Sequence, residues 1–231
     1  AHPMVIKFPA PDGVGQAADP KLPMEPLTAA VSNCDVWIEF NQKWLLYSTP
    51  YQKAIEVNKK LRYMCLVEFT EDVMIRTMSD IDIPKLTAFM TKVGQLNRAA
   101  KTIRMTTPAG TDVTFETDDR HVVSVDTGDA SKSGVYMMLG QLNVVPKYGS
   151  VNGTIVFDGT VTPPFGRTPD RPIKLIVKDS VIVEIQGGSD AAAYEKWLKD
   201  FKDPGMLKMA HVAYGFNPGA KLSGNVVEDE R

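Results

Sequence analysis

Two side chains in this sequence stand where chemistry is plausible. His211 lies in MAHVAYGFNPG (209–219), an apolar run that stops at a Gly-Phe-Asn-Pro-Gly turn. A neutral imidazole is the commonest transition-metal ligand and titrates near neutral pH. Strand alternation sets Ala213 on the same face, so little bulk crowds the ring. The competing reading is a structural histidine satisfied by hydrogen bonds. Gln141 lies in GVYMMLGQLNVVP (134–146), a run without a charged residue. Its amide both donates and accepts. It suits a functional polar point on a core strand, or a group that caps neighbouring backbone. Glu228, Asp229 and Glu230 follow His211 by 17–19 residues. Carboxylate oxygens from that cluster, with one imidazole, would suit a single divalent ion: Mn²⁺, Fe²⁺ or Zn²⁺. The alternative is a solvated charged tail. His121, after Asp118, Asp119 and Arg120, reads as a surface histidine at a turn, and His2 carries no argument. Gly187-Gly188 before Ser189-Asp190 reads as a strand-to-helix turn, with anion binding at the helix start as the other possibility.

The elements that must position these residues change character along the chain. Residues 4–8 (MVIKF) read as a strand, 27–34 as a short helix after Pro26, and 35–40 (DVWIEF) as a buried strand. Thr49-Pro50 opens a helix carrying Tyr51, Ala54, Ile55 and Val57. RYMCLVEF (62–69) is another strand, and Thr70-Glu71-Asp72 starts a helix with a hydroxyl cap and acids in the first turn. Residues 82–99 form the longest helix, with Leu86, Phe89, Met90, Val93 and Leu96 on one stripe. This rhythm predicts a parallel sheet covered by helices. Beyond residue 100 the pattern is strand, turn, strand around PAGT (108–111), then further strands. A hairpin joined at Lys178-Asp179-Ser180 follows, then an amphipathic helix over 190–201. The expected fold is α/β: a Rossmann-like parallel half over 1–100, then a β-rich α+β half over 101–231 that holds the metal site. A chain that opens inside a strand and closes on GNVVEDER reads as a fragment, incomplete at both ends.

Composition excludes several classes. The 231 residues are 43% hydrophobic with a net charge of −2, which is ordinary for a globular protein and lacks the basic excess of a nucleic-acid partner. No run approaches the ~20 apolar residues of a membrane span. Cys34 and Cys65 are too few for a disulfide framework and read as reduced thiols of a cytoplasmic protein, although adjacent parallel strands could bring them close. No GxGxxG after a strand, GxxxxGK[ST], CxxC, HExxH or GxSxG is present.

The order TTPAGTDVTFE, NGTIVFDG, VIVEIQGG, an amphipathic helix, a G-x-N-P turn and GNVVEDE resembles the aminopeptidase T-like metalloenzyme group, also called leucyl aminopeptidase-like. That group includes 2,5-dihydroxypyridine dioxygenase and 5-nitroanthranilic acid aminohydrolase. The likeness runs from about residue 20 to 231 and is specific from Thr106 onward. The resemblance implies a glutamate at the position of Gln141 and another at that of His211 in the peptidases. An amide cannot supply the anionic oxygen that bridges two metals, so a dinuclear peptidase stands as the third reading. The ring-attacking relatives are similar to this chain at His211, which the resemblance makes a ligand of one metal ion. The family's remaining ligands, a histidine and a His-x-Asp pair, fall beyond Arg231. The leading expectation is an aromatic aminohydrolase, in which a metal lowers the pKa of bound water toward ~7. Gln141 and Glu230 act in catalysis, and Gln141 and Tyr214 contact a small nitrogen-bearing aromatic substrate. The alternative is an Fe²⁺-dependent dioxygenase that opens a hydroxypyridine ring. Assembly into a homo-oligomer is implied by the resemblance alone.

Overall fold

The structure, a computed structural model, describes residues 2–118, 120 and 122–231. His121 therefore lies outside the described residues. The fold is α/β, as expected, and the chain forms two units. They do not divide at one cut near residue 100. Residues 1–79 and 126–139 make the first unit, and residues 80–125 and 140–231 the second.

The first unit is built on a parallel sheet ordered β1 (Val36–Glu39), β2 (Arg62–Cys65), β6 (Gly134–Met137). Helix α1 (Met24–Asn33) carries Pro26 in its first turn, where no amide partner is lost. Helix α2 (Thr49–Val57) is capped by Ser48, whose hydroxyl accepts from the Tyr51 amide at 3.3 Å. It buries Tyr51 and Ala54 and leaves Ile55 and Val57 exposed. Thr70 caps α3 (Glu71–Met74) by accepting from the Val73 amide at 3.2 Å, as its sequence predicts. The expected strand over 4–8 is absent: these residues take no regular structure, and Val5 is 79% exposed. β-propensity alone does not make a strand; a paired neighbour does.

The second unit has two sheets. One is antiparallel, ordered β10 (Val181–Gln186), β9 (Ile173–Lys178), β8 (Asn152–Phe157), β4 (Asp112–Glu116), β3 (Thr102–Thr106). The β9–β10 hairpin turns at Asp179-Ser180, both with positive φ, the backbone that matches strand twist in a two-residue loop. The other sheet is ordered β11 (Val212–Gly215), β7 (Gln141–Val144), β5 (Val123–Asp126). Phe115, Leu142, Val144, Ile173, Leu175 and Leu198 lie at the centre of the core. Helix α4 (Ile83–Ala99) packs through Met90, Gly94 and Asn97. Phe89 and Leu96, placed by periodicity on the buried stripe, are 53% and 61% exposed. Helix α5 (Ser189–Asp200) covers β10 and β9. At its first turn the Asp190 carboxylate accepts from Arg167 at 2.8 and 3.0 Å and from the Asp170 amide at 2.8 Å. The start of α5 thus holds an ion pair within the chain. The run 134–146, read as one core strand, is two strands in different sheets, broken at Gly140, whose φ is +121°.

Candidate functional site

The antiparallel pairing of β7 and β11 sets the geometry of the predicted site. Gln141 lies opposite Gly215, Leu142 opposite Tyr214 and Asn143 opposite Ala213. Side chains alternate faces along each strand. Leu142 and Val144 enter the core on one face; Gln141 and Asn143 occupy the other.

On that second face Gln141 is buried, and its Nε2 donates to Glu230 Oε2 at 3.1 Å. Asn143 Nδ2 donates to Gln141 Oε1 at 3.4 Å. Glu230 and Arg231, which follow α6 (Val226–Asp229), lie on that face. Asn225 caps α6 by accepting from the Val227 and Glu228 amides at 2.9 and 3.3 Å. The chain then lays Arg231 across Gly215: a Cβ on Gly215 would sit 2.5 Å from the Arg231 carbonyl carbon. Arg231 Nη1 is 3.6 Å from Glu230 Oε2. Two of the predicted residues, Gln141 and Glu230, are therefore in direct contact although 89 positions apart.

The other two are elsewhere. His211 stands one residue before β11, exposed and in phase with the exposed Ala213 and Gly215. Four residues of strand, about 13 Å at ~3.3 Å per residue, separate its backbone from Gly215 opposite Gln141. Tyr214 faces the opposite side of the sheet, where its hydroxyl donates to Asn97 Oδ1 at 3.3 Å and its ring stacks on Phe216. Burial pushes its phenol up from the ordinary tyrosine value. The even spacing from His211 to Ala213 excludes Tyr214 from that face, so its expected contact with substrate is not one that Gln141 shares.

The acidic cluster resolves into separate duties and is not a solvated tail. Glu228 is 1% exposed; its oxygens accept from the Lys221 amide at 3.0 Å and the Ser223 hydroxyl at 2.9 Å. Asp229 accepts from the Thr160 hydroxyl at 2.6 Å and from the Ser223 and Gly224 amides at 2.6 and 3.0 Å. Both tie down the 221–224 turn. Only Glu230 turns toward Gln141. Among the described residues no three His, Cys, Asp or Glu groups stand where they could hold one metal ion. Of the carboxylates expected beside His211, Glu228 and Asp229 are already engaged by backbone and hydroxyl donors, and Glu230 accepts from the Gln141 amide. Around His211 the described residues offer a metal one imidazole and do not assemble a complete set of ligands. A cavity of about 310 Å³ in the same unit is lined by Asn97, Arg98, Asp118, Val123 and Val144 among others; none of the four predicted site residues lines it.

The sequence reading missed Asn143 and Arg231. Asn143 carried a signal, since the period of two in Gln-Leu-Asn-Val puts it beside Gln141. Arg231 carried none, because its place depends on the α6 turn. The Gly-Phe-Asn-Pro-Gly stop is a turn as read: the Ala220 amide donates to the Asn217 carbonyl at 3.2 Å, and Asn217 Oδ1 accepts from the Gly219 amide at 3.0 Å.

Comparison with known proteins adds four findings. A family model described as 2,5-dihydroxypyridine 5,6-dioxygenase matches residues 4–231. A 2,5-dihydroxypyridine 5,6-dioxygenase of Pseudomonas putida is 30% identical over 91 residues, covering 39% of this chain and 26% of that protein. The solved structure of the 2,5-dihydroxypyridine dioxygenase from Pseudomonas putida superposes with a TM-score of 0.67 at 20% identity, covering 84% of this chain and 55% of that one. Wild-type AmpT from Thermus thermophilus superposes with a TM-score of 0.56 at 12% identity, covering 83% and 58%. The two superpositions show a shared fold, and the matches span from a quarter to somewhat over half of the relatives' lengths. With its match running through both units and the whole β7–β11–α6 region, the chain belongs to the 2,5-dihydroxypyridine 5,6-dioxygenase family.

Proposed function

We propose that the protein is a metal-dependent dioxygenase that opens the ring of a hydroxypyridine, with His211 as one nitrogen ligand of a divalent iron. The observation that carries this reading is the family match over 4–231. It names ring oxygenation, not deamination, and so reverses the order of the two readings drawn from the resemblance: the aminohydrolase gives way to the dioxygenase. The open position of His211 at the head of β11 supports it, since a ring sealed in apolar packing could not reach a metal. Bound iron would supply the binding and activation of dioxygen. The chain's own residues do the rest. Gln141, fixed by Asn143 and Glu230, presents an amide whose direction is set on both sides. Glu230 keeps a side chain 44% exposed. The same reading takes a small aromatic molecule as substrate, a homo-oligomer as the assembly and the cytoplasm as location. Cys34 and Cys65, neither of them in a disulfide, fit the last, and no helix is long and apolar enough to cross a membrane among the described residues.

The test is oxygen uptake on 2,5-dihydroxypyridine by protein supplied with Fe²⁺, with ammonia measured in parallel. Oxygen uptake matched to substrate loss, and inactivity without oxygen, are expected. Ammonia release without oxygen uptake would return the aminohydrolase. Iron content read separately in His211→Ala should fall; unchanged iron would remove His211 from the ligand set.

A further inference from the structure

The Glu39 carboxyl, at the end of β1, is 2% exposed. Its Oε1 accepts from the Leu45 amide at 2.8 Å and from Asn41 Nδ2 at 3.2 Å. Oε2 accepts from the Tyr63 hydroxyl, and the Cys65 thiol stands beside the same carboxyl. Tyr63 stacks on Trp37 at 4.2 Å and tilts against Tyr51 of α2 at 5.4 Å. The titratable groups facing Glu39 are thus a phenol and a thiol from β2, with a second phenol behind them on α2. The loop contributes two amides. None of these partners is a cation.

Asn41 and Leu45 belong to the loop that joins β1 to α2, and Leu45 is 1% exposed. The loop is also tied by Glu68 N to Asn41 O at 2.9 Å, Gly15 N to Trp44 O at 3.0 Å and Gln52 Nε2 to Tyr47 O at 3.2 Å. It also holds Tyr47 at φ 69°, an uncommon backbone for a bulky residue. A buried anion without a cation is costly. Burial is the largest effect on Glu39 and pushes its carboxyl above the usual carboxylate range, against the pull of its donors. The neutral acid fits the same partners. Oε1 keeps both loop amides, and Oε2–H donates to the Tyr63 oxygen, reversing that bond.

We propose that Glu39 is a proton-linked latch on the 40–48 loop: the loop closes over a neutral carboxyl and opens when the carboxyl ionises. Opening hydrates the group and returns it toward the ordinary glutamate value of ~4.3. The opening constant then rises about tenfold per pH unit between that value and the closed-state value, and levels off above it.

Amide hydrogen exchange of the whole chain, corrected for the intrinsic pH dependence of exchange, reads the latch at Leu45. Protection there is expected to fall about tenfold per pH unit over that interval and then flatten, while Glu39→Gln gives a flat profile. Carbon-13 titration of the Glu39 carboxyl should place its midpoint where the slope ends. A flat or rising wild-type profile, an equal slope in Glu39→Gln, or a midpoint in the ordinary carboxylate range would each overturn the proposal. If Glu39→Gln does not fold, the two wild-type measurements decide alone.

Discussion

At position 141 an amide stands where the resemblance implies a carboxylate in the peptidases, and its contact with Glu230 gives that difference a measurable sign. Gln141→Ala removes the donor at 3.1 Å and should cost about 1 kcal/mol in urea unfolding. Gln141→Glu is more informative. Two carboxylates that close cannot both ionise cheaply, so one folded-state pKa rises. A raised folded pKa means stability lost as pH rises through it. The Gln141→Glu deficit against wild type should therefore be larger at pH 8 than at pH 4. Equal deficits would mean that shape, not charge, matters at this position. Asp190 gives the opposite sign. Arg167 first, then the Asp170 amide, hold its carboxyl below the usual range. Its stabilisation is present above the unfolded value of ~3.9 and is lost as pH falls through the folded value. Asp190→Asn should flatten the acid limb of a Tm-against-pH curve; an unchanged limb would show the ion pair to be neutral for stability. Residue types announced His211 and Gln141 because few groups can do such chemistry. They could not say that Glu228 and Asp229 spend their oxygens on a turn, because sequence distance does not give the direction a carboxylate faces.

Among the elements, local signals were read well and changes of partner were not. The β9–β10 hairpin, the Thr70 and Thr49-Pro50 helix starts and α5 all follow from neighbours in sequence. The break in 134–146 does not, since its eight hydrophobic residues look the same whether they serve one sheet or two. Gly140 makes the break. Its φ of +121° and the 2.6 Å that a Cβ would leave to the Asn217 Cβ exclude any side chain. The Phe216 amide donates to the Gly140 carbonyl at 2.7 Å there, which joins β7 to the end of β11. Gly140→Ala should cost about 3 kcal/mol, combining backbone strain with overpacking, and should shift amide resonances of Asn217. The stripe on α4 failed for a related reason. Periodicity finds a helix face but not its width, and Gly94 with Asn97 narrows the buried strip until Phe89 and Leu96 fall outside it.

For the molecule as a whole, the interleaving of the two units sets what can be cut away. A division at residue 100 would leave α4 with the first unit, although its contacts are with the second. Met90 is fully buried, and a Cβ on Gly94 would lie 2.9 Å from Val125 and 3.6 Å from Leu142. Asn97 accepts from Tyr214 at 3.3 Å, and Arg98 donates to the Val123 carbonyl at 2.7 Å. Segment 126–139 leaves the second unit between β5 and β7 and returns to add β6 to the parallel sheet. Composition cannot show this, because a parallel strand recruited from about seventy residues away looks like any other apolar run. Residues 80–125 joined by a short Gly-Ser linker to 140–231 should unfold in one cooperative urea transition, with the strand-rich circular dichroism of the second unit. Residues 101–231 should not, because losing α4 uncovers Leu142 and strips Tyr214 of its acceptor. If both chains fold equally well, α4 is an appendage, and the boundary near residue 100 is restored.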